Sequence, residues 1–498
     1  MLENLLRRKP VDQATPDGEE HGGLKRSLGP VDLTALGIGA IIGAGIFSST
    51  GSAAAGDAQH VGAGPALIVS YLLVAVACGF AALCYAELAS MIPVAGSAYT
   101  YSYVALGELV AWIIGWDLML EYGVGNVAVA ISWGDYFKSF LAGFGVTIPE
   151  WMSTPSLIAR DHAPPGLFEH APHLFGIPIV FNLPAALIVV ALTVILVVGV
   201  KESVWLNSVM VALKLVLVVG FIAVGAFYVM PTNWHPFAPN GFTGIMTGAS
   251  VVFFAYIGFD AVSTTAEEAR NPQRDMPIGM IASLMICTVL YVAVAAVLTG
   301  MVPFHDLAVG DPLAHALQVA GLTKLAGVLS LGAVIAMTAV LLVFQLGQPR
   351  IFMSMARDGL LPGVFARLHP RFRTPHINTI ICGVLVAIPS MLFEIGDALD
   401  FTNIGTLFAF VLVSAGVIVL RRSDPNRQRP FRTPWVPLVP AASIVCCVGL
   451  MAFLPGITWL RFGGWLAIGF VIYFAYSRKH SRLAQSAPTP AAPPSTAH

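Results

Sequence analysis

Charge is scarce in this chain. Only 27 acidic and 26 basic residues occur among 498, 11% of the total, and they nearly cancel to a formal net charge of −1. Soluble domains carry about 25% charged residues, so most of this chain cannot be a water-exposed globular surface. The near-neutral balance argues against nucleic acid as a partner. Cysteine is also rare. The six cysteines, Cys78, Cys84, Cys287, Cys382, Cys446 and Cys447, form no Cys-x-x-Cys pair and lie in apolar segments. They read as small buried hydrophobes rather than as metal or redox ligands. Histidines fall mainly in loops and tails, so no nucleophile–base pair or metal constellation is expected at membrane depth, which argues against an enzyme. No metal and no cofactor is expected. The first thirty or so residues are polar, with Arg7, Arg8, Lys9, Lys25 and Arg26, and no cleavable signal peptide is expected there.

What the chain has in abundance is apolar length: 57% of its residues are hydrophobic. A membrane-spanning helix needs about 20 apolar residues, and that yardstick predicts about twelve spans. Their limits are near 32–56, 65–91, 106–140, 183–200, 204–229 and 244–267, then 279–301, 325–355, 377–393, 399–420, 436–454 and 462–476. In the eighth, 347–355 is read as a possible extension on the inner side. With the N-terminus inside, most Arg and Lys residues fall on the inner side, and only Lys138, Arg160, Lys324 and Arg461 fall outside. This bias predicts a multi-pass protein of the cell membrane with both termini cytoplasmic. The longest outer loop, 141–182, holds His162, His170 and His173 among several prolines; it reads as a solvated loop ahead of a metal site. Residues 1–31 are expected to be a cytoplasmic segment and 479–498 a disordered cytoplasmic tail.

Two spans break the rules of a plain membrane anchor. Gly37, Gly39, Gly43 and Gly45 crowd the first, and each costs a helix roughly 1 kcal/mol relative to alanine. The spacing predicts a helix that stops and restarts near Gly43-Ala44-Gly45. The sixth span carries Gly258 and Asp260 within Phe253-Phe-Ala-Tyr-Ile-Gly-Phe-Asp260, a second predicted break. Broken helices persist in a membrane only where the freed backbone faces a cavity or ligand. Breaks in spans one and six predict two inverted five-helix repeats, about 32–229 and 244–420, with two extra helices in 436–476, all within a transporter body of 32–478.

The breaks define a chemistry. The amides of Ala44, Gly45 and Ile46 lose intrahelical partners and offer an anion site. Carbonyls near Ile41, Ile42, Phe254, Ala255 and Ile257 are released and suit an ammonium group. Anion and ammonium sites a few Å apart describe the backbone of an α-amino acid. Gly-x-x-x-Gly helix packing is the competing explanation for the first span alone; the paired break favours binding.

Ionisable residues inside spans are costly and are functional candidates. Lys214 is mid-span and is expected to bond carbonyls of the unwound helix and to carry the coupled proton; snorkelling is the alternative. Glu121 faces the substrate or shares a proton, against structural pairing at even odds. Asp117 is expected to pair, Asp260 to cap the second break, and Glu87 and Glu108 to be solvated or capping. Glu267 and Glu268, with Arg270 and Arg274 nearby, are read as surface ion pairs, with an inner gate as the alternative.

Gly39-Ala-Ile-Ile-Gly-Ala-Gly-Ile-Phe47 resembles the first-helix signature of the amino acid–polyamine–organocation superfamily. Phe254-Ala-Tyr-Ile-Gly-Phe-Asp260, then Glu267-Glu-Ala-Arg-Asn-Pro-Gln-Arg-Asp-Met-Pro-Ile-Gly279 and Met355-Ala-Arg-Asp-Gly-Leu-Leu-Pro362, resemble its cationic amino acid transporter branch. The resemblance covers about 29–482. It implies an all-α fold of twelve helices, ten of them in inverted repeats, and alternating access around a midplane site. It implies that the Gly43, Ala44 and Gly45 amides hold a substrate carboxylate and the Ile41, Phe254, Ala255 and Ile257 carbonyls its amine. Lys214 matches the lysine that proton-coupled relatives carry on the fifth helix. Met337 is expected to face the site, and a thioether suits small or medium apolar side chains; core packing is the competing role. The expected function is proton-coupled uptake of neutral L-amino acids, with an exchanger of amino acids or polyamines, or a cationic amino acid transporter, as alternatives. The expected partners are the amino acid, protons and the lipid bilayer, with no nucleic acid, and the chain is read as a monomer.

Overall fold

The computed structural model describes residues 7–9, 27–92, 97–155, 167–175, 177–199 and 204–485. Among them the chain is all-α apart from a two-residue ladder pairing His173–Leu174 with Ile177–Pro178. Arg160, His162 and Lys201, used above for the outer loop and the orientation, lie outside the described residues, as do Lys25, Arg26 and 486–498.

The first predicted span is interrupted. Helix α1 (Pro30–Ile41) starts behind Gly29, whose amide donates to the Asp32 carboxylate at 2.9 Å, with Pro30 in the first turn. It stops at Ile42, where ψ swings to 100°. The chain restarts as a π-helical turn, Gly45–Ser49, that runs into α2 (Thr50–Ala55), bent by 44° from α1. There follow α3 (Leu67–Met91), α4 (Ser97–Ala105), α5 (Glu108–Ala142), α6 (Leu183–Val198) and α7 (Val204–Gly225). Helix α8 (Gly241–Val252) is the second interrupted element. It tightens to a 3-10 turn at Phe253–Tyr256, extends at Ile257, and resumes as a 3-10 run, Asp260–Glu268. Then come α9 (Pro272–Met301), α10 (Pro312–Val319), α11 (Thr323–Arg357), α12 (His376–Leu392), α13 (Ile395–Ser423), α14 (Leu438–Met451) and α15 (Gly456–Ile472).

Length and apolarity alone mark seven described helices as able to cross a membrane, or eight with the bent α1/α2 pair as one. The 35-residue α5 and the shorter apolar helices α6, α12 and α14 occupy the remaining positions of the sequence reading. Helix α11 is one 35-residue rod, so 347–355 continues the helix. Large apolar side chains are exposed along α6, α7, α9, α12 and α15, among them Val194, Val216, Val289, Leu385 and Leu460. So much exposed apolar surface is stable only against lipid.

Two groups of helices pack around the breaks. Helix α9 lies against α1 and α3; α5 lies against α11 and α13, and α6 against α12. The described residues nearest the two chain ends, 7–9 and 482–485, meet at one end, called here the terminal end. Lys9 pairs with Asp358 at 2.9 Å, and the Arg482 amide donates to the Asp358 carbonyl at 3.0 Å.

That end corrects several expectations. Glu108 is buried and accepts from Tyr473 at 3.1 Å and Ser481 at 2.6 Å, instead of being solvated. Glu87 is buried too, gripped by Arg421 through two 2.8 Å hydrogen bonds and by the Thr433 amide. Each carboxylate enters the interior because several donors surround it. Residues 478–480 and 482–485 form short helical turns, so the predicted disorder does not extend over 479–485. The Arg270 guanidinium donates to the Ser27 carbonyl at 2.9 Å, tying the start of α1 to the end of the second break. The Glu267 side chain lies outside the described residues.

Candidate functional site

The two interruptions touch. A Cβ added to Gly45 would land on the Ala255 backbone, against its Cα and, at 2.9 Å, its nitrogen. Only glycine permits this approach, which brings one broken strand of peptide groups against the other. Gly43 faces a different wall: its added Cβ would lie 3.1 Å from a Val340 methyl on α11. Gly258 makes the second break possible. Its φ is +120°, and an added Cβ would sit 2.8 Å from the Ala40 carbonyl carbon. Asp260 closes this turn by accepting the Gly258 amide at 3.2 Å.

The peptide groups at the breaks divide into used and unused. Among the described residues, the amides of Gly43, Ala44, Gly45 and Ile46 have no backbone acceptor, while Ile42 and Phe47 donate to Ile38 and Gly43. The Ala255 and Ile257 carbonyls are likewise unclaimed. Two of the expected ammonium ligands are already engaged. The Ile41 carbonyl accepts the Tyr291 hydroxyl at 2.9 Å, and the Phe254 carbonyl accepts the Ile257 amide at 3.3 Å. A carbonyl has two lone pairs, so each could still take a second donor. All of these residues are buried. Unpaired backbone groups at such depth cost free energy unless a ligand or water completes them.

Lys214 is reached from α7. It is 1% exposed, and its Nζ donates to the Gly39 carbonyl at 2.6 Å, one turn before the break. The side chain therefore points into the bundle and does not snorkel. Glu121 on α5 is 4% exposed, faces Thr406 of α13, and keeps Oε2 without a hydrogen-bond partner. Asp117, one turn earlier, is fully buried with neither oxygen bonded, so the expected pairing is absent. Met337 on α11 is fully buried in the core that also contains Val340.

Sequence reasoning missed the polar side chains that brace the breaks. Tyr136 donates to the Phe47 carbonyl at 2.6 Å, and Thr50 meets the Tyr71 hydroxyl at 2.7 Å. Asn403 of α13 donates to the Ser250 carbonyl of α8 at 2.8 Å. Each is a polar residue inside an apolar run, which is the available signal, since such groups bond across helices in membranes.

The breaks thus carry unpaired amides at 43–46 and unpaired carbonyls at Ala255 and Ile257, with Val340 of α11 against Gly43. The family model described as amino acid permease matches residues 28–475. The chain is 48% identical over 482 residues to a methylthioribose transporter of Bacillus subtilis (strain 168), spanning 97% of this chain and 100% of that protein. It is 48% identical over 488 residues to the branched-chain amino acid permease BcaP of the same organism, with 97% and 100% covered. It is also similar to the vacuolar cationic amino acid transporter 4 of Arabidopsis thaliana, at 39% identity over 434 residues, 85% of this chain and 68% of that protein.

Proposed function

The chain belongs to the amino acid permease family, and from that membership we propose that it is a proton-coupled symporter of neutral L-amino acids, working by alternating access in the cell membrane with both termini cytoplasmic. It is a multi-pass membrane transporter rather than an enzyme. The observation that carries the reading is the contact of Gly45 with Ala255, which sets the bare amides of 43–46 beside the bare carbonyls of Ala255 and Ile257. The substrate carboxylate takes the amides, assisted by the positive end of the restarted helix. Its ammonium takes the carbonyls, and Ile41 and Phe254 serve as second acceptors.

Lys214 supplies the coupling. As an ammonium it holds the Gly39 carbonyl and so fixes α1 against α7. Loss of the proton removes the charge-assisted bond and frees α1 to move. Alternating access follows if the two half-helices rearrange around a fixed substrate. The apolar Met337 and Val340 favour an uncharged side chain, and one relative is named for branched-chain amino acids. Glu121 favours the second reading, a cationic amino acid cargo, because a buried carboxylate oxygen without a partner would suit one; another relative is named for such cargo.

The test is uptake by purified protein in proteoliposomes. An inward proton gradient should drive accumulation of a branched-chain amino acid without substrate inside. Lys214→Ala should fold and bind but lose that dependence on the gradient. A strict need for internal substrate would establish exchange instead.

A further inference from the structure

Far from Lys214, a second ionisable group joins one moving half-helix to the surrounding bundle. His60 lies in the loop after α2. Its Nδ1 is 3.0 Å from both Asp57 oxygens, and its Nε2 is 3.1 Å from Oδ1 of Asp400 on α13. Its side chain is 4% exposed and that of Asp400 2%. The loop is built to present it: the Asp57 amide donates to the His60 carbonyl, while the Gln59 and His60 amides donate back to the Asp57 carboxylate at 2.8 Å. Asp400 is near the start of α13, whose last residue, Ser423, bonds Arg8 at the terminal end. At 1.5 Å per residue it therefore sits roughly 35 Å away, at the opposite end of the molecule.

We propose that His60 and Asp400 form a proton-carrying latch that holds α2 closed against α13 at the end remote from the termini. This rests on the alternating-access reading above. Three residues on, and on the same face of α13, Asn403 holds the Ser250 and Val251 carbonyls of α8. One turn of α13 thus grips both outer half-helices, and to open that end α2 must leave Asp400.

The charges facing His60 set the direction of the linkage. Asp57 comes from its own loop and moves with it. From α13 come Asp400 and Asp397, the latter neutralised by Arg461 of α15 at 2.6 Å. The segment before α8 contributes Pro239 and Asn240 to the same loop, neither of which titrates. Burial pushes the imidazole down, but the carboxylates of Asp400 and Asp57 more than offset it and raise it to about 10. An opened, rehydrated His60 returns toward about 6.5, with Asp57 alone still beside it. Below that value both states are protonated, and pH does not shift the latch. Between it and about 10 only the closed state holds the proton, so closure weakens as pH rises, by at most tenfold per pH unit. Closing this end at a pH between about 6.5 and 10 therefore captures a proton from that side, independently of Lys214.

The test is a distance measurement, not transport. Spin labels on α2 and α13 of the full-length protein in lipid nanodiscs report the open fraction from pH 5.5 to 10. The open fraction of the wild type should rise above about pH 6.5. His60→Gln and Asp400→Asn should be open at every pH with that dependence lost. His60→Arg keeps a fixed positive charge and should close without pH dependence, so it carries the test if His60→Gln does not fold. A wild-type pH profile in His60→Arg, or no profile in the wild type, would overturn the latch. Neither result bears on substrate binding at the two breaks, which a thermal-shift titration with the amino acid reads separately.

Discussion

Replacing Gly45 by alanine should cripple binding, whereas the same change at Gly43 should not. The two glycines are two residues apart and equally buried, yet they face different neighbours. At Gly45 the new methyl meets the Cα and nitrogen of Ala255, main-chain atoms that cannot turn aside. Inserting one methyl into such a contact costs about 1–3 kcal/mol, while the better helix propensity of alanine returns at most about 1 kcal/mol. The half-helices must then part, and the amides of 43–46 no longer converge with the Ala255 and Ile257 carbonyls. At about 1.4 kcal/mol per tenfold, a net loss near 2 kcal/mol weakens substrate affinity about 30-fold. At Gly43 the methyl meets one Val340 methyl at 3.1 Å, which a few tenths of an ångström relieve, so affinity should fall less than about threefold. Valine at Gly43, with two more methyl groups, should abolish binding. Ala255→Gly should not rescue Gly45→Ala, because the obstructing Cα and nitrogen remain. Calorimetric titration of the purified protein measures all of these. Equal affinities for Gly45→Ala and the wild type would refute the claim that the breaks meet through this contact.

Three other substitutions probe separate parts of the molecule. Lys214→Met, which cannot hold the Gly39 carbonyl, should leave binding within a few-fold of wild type and remove the response of uptake to an imposed proton gradient; a retained response would show that coupling lies elsewhere. Glu121→Gln should leave uptake of a neutral amino acid intact and abolish any binding of lysine or arginine, and a loss confined to neutral cargo would contradict this. Glu87→Gln leaves Arg421 and Arg429 facing each other without a counter-charge and should destabilise the protein by about 3–5 kcal/mol, read as a lowered unfolding temperature in detergent with affinity unchanged.

Both breaks were legible in the sequence because their cause is local. Four glycines between 37 and 45, and Gly258 beside Asp260, weaken a helix whatever packs around it. The depth of Lys214 was legible from the apolar run that encloses it, and Lys201 as the anchor of the inner end spoke against snorkelling. What it bonds was not, since Gly39 is 175 residues away in the chain. The partners of Glu87 and Glu108 were hidden for the same reason. Position near a span end is compatible with water, and only the fold brings Arg421, Tyr473 and Ser481 to them. His60 was hidden more deeply. A histidine in a short polar loop looks solvated until α13 is laid beside it.

The distribution of buried charge separates scaffold from machinery. Among the described residues, Glu87 with Arg421 and Arg429, Lys9 with Asp358, and His60 with Asp57 and Asp400 each have opposite charge beside them, and all lie toward the ends of the helices. Lys214, Glu121, Asp117 and Asp260 occupy the middle, and none of them has a side chain of opposite charge within 4.0 Å. A pair near the headgroups is held cheaply, because its charges cancel and water is close. A lone ionisable group in the bilayer centre costs several times more, and any apolar residue of similar size would relieve that cost. Lys214 and Glu121 flank the breaks from α7 and α5, and Asp260 closes one of them. That cost is understandable where the charge or its proton meets a moving ligand. Asp117 lies farthest along α5 from the breaks, with both oxygens unbonded, and by the same argument a neutral replacement such as Asp117→Asn should raise the unfolding temperature unless a proton at that position is used in the cycle.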